Sequence, residues 1–175
     1  LGITLRHPLS SVAEAPIAWP AIVREKVRND YPLMALKEMG ARWVRIPATD
    51  LKDDFQRERL GCLREEGVQI RATAIWSEQF GFDVSPDATD VFADEWEIQA
   101  TVRDFSSESF TEWLNKFRSL DVSPLCLAAI APRELVPGKQ HPRTRIGFRT
   151  NELSELNDRL VTSDLKLDRV LCCID

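Results

Sequence analysis

Short apolar runs alternate along this chain with amphipathic segments of helical period. That order constrains the fold strongly, because repeated strand–helix alternation builds a parallel sheet from βαβ units. The first apolar run is Gly2 to Leu5. A helical stretch is expected from Pro20, which suits a first helical position, and again from Pro32, where Leu33, Leu36 and Met39 precede a stop at Gly40. The strand Arg42 to Ile46 follows. Asp50 can cap a helix with Leu51, Phe55, Leu60 and Leu63 on its apolar side, and Gly67 supplies the left-handed residue that ends it.

The third strand is expected at Val68 to Trp76. Beyond a loop rich in Gly, Pro and Asp between Glu78 and Asp94, the run Glu95 to Val102 reads as the fourth. Ser106 or Ser107 then caps a helix in which Phe110, Trp113, Leu114, Phe117 and Leu120 recur at spacings of three and four, the clearest amphipathic pattern in the chain. Leu125 to Ile130 is a fifth strand. A Pro- and Arg-rich loop, Pro132 to Arg149, leads to a helix capped near Thr150 with Leu153, Leu156 and Leu160 on one face, and Val170 to Ile174 is the sixth strand.

The strand patterns discriminate between two parallel architectures. In an open doubly wound sheet, helices cover both faces and the central strands are apolar throughout. Here the third strand sets Gln69, Arg71 and Thr73 against Val68, Ile70, Ala72 and Ala74, and the fourth sets Glu95, Glu97, Gln99 and Thr101 against Trp96, Ile98 and Ala100. Such alternation in a parallel sheet suits a polar lumen. The first two strand-to-helix turns also lack a glycine-rich phosphate loop. The expected fold is therefore α/β, a parallel βα barrel of the TIM type, with the open doubly wound sheet as the alternative.

A complete barrel of this type runs to ~250 residues, against 175 here, so residues 1–175 are expected to form a single partial-barrel domain of about six βα units. A start at Leu1 and an apolar run, Arg169 to Asp175, with no following helix suggest a domain excised from a longer chain.

A net charge of -5 argues against general affinity for nucleic acid or anionic membranes, both of which call for a basic surface. No stretch approaches the ~20 consecutive apolar residues of a membrane span, and the start lacks the pattern of a signal peptide. Cys62, Cys126, Cys172 and Cys173 show no C-x-x-C spacing, and the last three lie in apolar runs, which fits buried, reduced thiols in a cytoplasmic protein.

In a barrel, function gathers where the strands end and the βα loops begin. Those ends offer Arg6 and His7, Arg45 and Asp50, Trp76 and Glu78, Arg103 and Asp104, Arg133 and Glu134, and finally Asp175. Arginines converging on one rim would bind a carboxylate, phosphate or sulfate, so Arg6, His7, Arg45, Trp76, Arg103 and Arg133 are the candidate substrate-binding residues. The competing reading pairs these arginines with Glu97, Asp104, Glu134 and Asp175 inside a polar lumen. Glu78, Glu134 and Asp175 are the candidate catalytic carboxylates, Glu78 and Glu134 as an acid/base pair facing across the mouth.

His7 and His141 are the only histidines. His7 with Glu78 and Asp175 can ligate a divalent ion, but no element carries ligand spacing, so no metal or other cofactor is assigned. Of the tryptophans, Trp43, Trp96 and Trp113 read as core, which leaves Trp19 and Trp76 as site aromatics.

The segment Ala35 to Pro47, ALKEMGARWVRIP, resembles the second βα unit of TIM-barrel glycoside hydrolases, and its successor LREEGVQIRATAIW continues the likeness. The resemblance implies a barrel and puts Arg45 near the active-site carboxylates. It does not extend to catalysis: where that family carries its acid/base glutamate after an asparagine, this chain reads Thr101-Val102-Arg103-Asp104, and the strand bearing the family's nucleophile is not reached.

Two functions compete on these grounds. One is a barrel enzyme, a hydrolase or isomerase acting on a small anionic or carbohydrate-like substrate. The other is a non-catalytic accessory domain of a larger hydrolase, for example of the metallophosphoesterase type, with a salt-bridged mouth. Its partner would be the rest of a longer chain or, for a dimerising scaffold, a second copy that covers the open sheet edges.

Overall fold

A computed structural model describes residues 1–5, 9, 12–14, 26–28, 30–77, 81–82, 92–119, 124–130, 146–162 and 167–173. The chain divides into two compact units, Leu1–Ile70 and Arg71–Asp175.

In the first unit, β1 (Gly2–Thr4) pairs in parallel with β4 (Trp43–Pro47), Gly2 lying opposite Trp43 and Thr4 opposite Arg45. Glycine is required at position 2, since a Cβ there would lie 2.0 Å from the Trp43 ring. A second ladder joins β2 (Val12–Glu14) to β3 (Lys26–Arg28) in antiparallel sense. The helix expected from Pro20 is therefore corrected at Lys26–Arg28, which is extended and strand-paired; residues 20–25 lie outside the described ones.

The helices α1 (Tyr31–Glu38) and α2 (Asp54–Glu65) end as their glycines predict. Gly40 and Gly67 adopt φ of 64° and 83°. In each case the next amide reaches back five residues, Ala41 to the Leu36 carbonyl at 3.1 Å and Val68 to that of Leu63 at 3.0 Å, and the two side chains so joined are buried. Each stop delivers the chain directly into a strand: β4 after Gly40, and β5 (Gln69–Ser77) after Gly67.

The start of α2 differs from the expectation. Ala48–Lys52 forms a 3-10 turn that contains Asp50, and the cap is Asp53, whose carboxylate accepts from the amides of Phe55 at 2.9 Å and Gln56 at 3.3 Å. The buried stripe is Gln56, Leu60 and Leu63, while Phe55 is 69% exposed. Gln56 occupies an apolar position because its side-chain oxygen accepts from the buried Leu9 amide.

The second unit is parallel α/β. β5 pairs with β7 (Glu95–Ala100), β7 with β8 (Leu125–Ala129), and β8 with β9 (Arg169–Leu171), all in parallel. A short β6 (Gly81–Phe82), inside the segment expected as loop, folds back antiparallel on the end of β5. β7 stops at Ala100, earlier than its β-forming sequence suggests, because Thr101 caps a short helix, α3 (Val102–Phe105), by accepting from the Asp104 amide at 3.1 Å. Ser107 caps α4 (Glu108–Arg118) through the Phe110 amide, and α5 (Thr150–Thr162) begins at the expected threonine.

One face of this sheet is packed by α4. Phe110, Leu114 and Phe117 are buried, with Trp76 edge-on to Phe110 at 5.2 Å and Trp96 edge-on to Phe117 at 5.6 Å. Phe105 and the buried Phe148 extend the cluster. Among the described residues, no helix is long and apolar enough to cross a membrane.

Candidate functional site: the polar face of the second unit

The alternation in β5 that buries Ile70, Ala72, Ala74 and Trp76 turns Arg71 and Thr73 to the other face. The ladder sets Arg71 opposite Glu95 and Thr73 opposite Glu97, and carries Glu97 on to Cys126 of β8, itself opposite Arg169 of β9. Sheet register thus gathers two cations and two carboxylates on one side.

Arg71 is the hub. Its Nε and Nη2 donate to Glu95 Oε2 at 2.8 and 2.6 Å, and its Nη1 lies 3.9 Å from Glu97 Oε2. Arg169 approaches the other Glu95 oxygen at 3.5 Å. Glu97 is 0% exposed, and its Oε1 accepts from Gln99 Nε2 at 2.9 Å, with Gln99 only 6% exposed. The group is charge-balanced, as burial of ionised side chains requires.

The cluster is graded along the strands. Glu95 and Arg169 are the first residues of β7 and β9, so the ion pairs sit at the N-terminal ends, whereas Gln99 is one residue short of the C-terminal end of β7. Parallel βα folds keep stabilising contacts at the first end and ligand sites at the second. Among the described residues Gln99 spends one N–H on Glu97; its carbonyl oxygen and second N–H are of the kind that hold hydroxyl or carboxylate groups.

The candidates read from the sequence fall as follows. Arg6, His7, Glu78, Arg133, Glu134 and Asp175 lie outside the described residues, as do Trp19 and His141. Arg45 is on β4 of the first unit, 8% exposed. Trp76 is 3% exposed and belongs to the helix-side aromatic cluster. Arg103 is exposed on α3, immediately beyond the C-terminal end of β7. In the first unit, the Asp50 carboxyl is raised above the usual range by burial and by the neighbouring Asp53 charge.

Glu97 is paired with Arg71 from the neighbouring strand. The sequence signal for Arg71, Glu95 and Gln99 was present in the alternation, which sets Gln99 two residues from Glu97 on one face; what it lacked was the register that makes Arg71 and Glu95 partners. Among the described residues, no group of three or more His, Cys, Asp or Glu side chains is arranged to hold a metal ion. An open groove of about 620 Å³, lined by Ser106 and residues of α4 and α5, shares none with the polar face. Compared with known proteins, the chain matches no family model, no curated protein and no solved structure.

Proposed function

We propose that the chain is a βα enzyme domain built as part of a TIM-type barrel, a hydrolase or isomerase that binds a small anionic or carbohydrate-like substrate at the C-terminal ends of its strands. The observation that carries this reading is the fully buried Glu97, bonded to Gln99 on a parallel-sheet face opposite the one that α4 covers. A barrel lumen accommodates such a face, while a sheet sandwiched between helix layers favours apolar side chains on both sides. Arg103, exposed where β7 ends, supplies a guanidinium for an anionic group.

The accessory-domain reading draws on the same ion pairs, which can fill an interior without any ligand. It is less well supported, because it calls for a salt-bridged mouth and the pairs of Glu95 with Arg71 and Arg169 fall at the other end of the strands.

Thermal unfolding with phosphate, citrate and simple sugars tests the proposal. A ligand present at 100 times its Kd stabilises by about 2.7 kcal/mol, which for a chain of this size raises Tm by roughly 5 to 10 °C. Arg103→Ala should leave the unliganded Tm nearly unchanged and reduce the shift with anions. If none of these compounds raises Tm, the substrate assignment is wrong and the accessory reading takes its place.

A further inference from the structure

We draw no further inference here: the strongest candidate, the open groove between α4 and α5 walled by Glu108, Glu112, Glu155 and Asp158 beside Arg159, is an acidic surface cluster, and nothing in the structure shows what occupies it.

Discussion

The two faces of the strands in the second unit are held by opposite means. On the α4 side, Trp76, Trp96, Phe110 and Phe117 interlock edge to face, and stability comes from apolar area and ring geometry. On the other side, Arg71, Glu95, Glu97 and Arg169 neutralise one another, and the face is stable only while its charges remain matched. The difference teaches that the partners a side chain meets on its own strand and the next, more than its own polarity, decide whether it can be buried. Glu97 is as inaccessible as Phe117, each 0% exposed.

The largest effect is expected on the apolar face. Phe117→Ala removes a fully buried ring that touches both Trp96 and Trp113, so it should cost about 3 to 5 kcal/mol, seen in urea as a lower midpoint with little change in slope. A loss below about 1 kcal/mol would mean that α4 does not pack on these tryptophans.

The polar face should respond less and asymmetrically. Arg71→Met leaves two carboxylates without their shared cation and should cost about 2 to 4 kcal/mol, whereas Glu95→Leu leaves Arg71 beside Glu97 and should cost less. The double variant should be more stable than the sum of the two losses predicts, by about 1 kcal/mol or more. Strict additivity would show that the two side chains do not interact in solution.

A smaller loss, about 1 kcal/mol, is expected from Ser107→Ala, which removes the acceptor for the Phe110 amide at the start of α4 and leaves both sheet faces intact. Hydrogen exchange should speed up in the first turn of α4 while β7 and β8 stay protected.

These regions differ in how far local sequence reveals them. The helix α4 and the strands β5, β7 and β8 are legible because their signals repeat within one element: spacings of three and four from Phe110 to Phe117, and alternation from Gln69 to Trp76. The two glycine stops are legible because a single residue beside the helix end carries the signal. What escapes is competition between neighbours of similar chemistry. Asp50 and Asp53 are both good caps, and only the 3-10 turn that holds Asp50 decides for Asp53. Thr101 and Val102 favour extended backbone, yet the Thr101 hydroxyl satisfies the Asp104 amide and starts a helix. The Arg71–Glu95 pair depends on register between strands 24 positions apart in sequence, which no local pattern encodes. Of the proposed mouth, the sequence offers the residue types at the strand ends but not their arrangement.

The smallest effects are electrostatic, and they separate the two units by the sign of their response to acid. Asp168, at the start of β9, accepts from the Leu125 amide and from Arg118 of α4, each at 2.8 Å. The backbone bond, opposed next by burial and then reinforced by the hydrogen bond and charge of Arg118, holds its carboxyl below the usual range. An acid whose pKa is lowered on folding stabilises the native state above its unfolded value, near 3.9, and loses that contribution as pH falls through the folded value. Asp50 is raised, so its ionised form disfavours folding at neutral pH, and that penalty is relieved as pH falls through its elevated pKa toward the ordinary one. Asp168→Asn should therefore lower Tm at pH 7 by more than at pH 3, and Asp50→Asn should raise it at pH 7 with the gain shrinking in acid. Measuring Tm against pH for both variants checks the signs separately. Parallel curves for Asp168→Asn and the native chain would mean that the bonds to Leu125 and Arg118 do not favour its charged form.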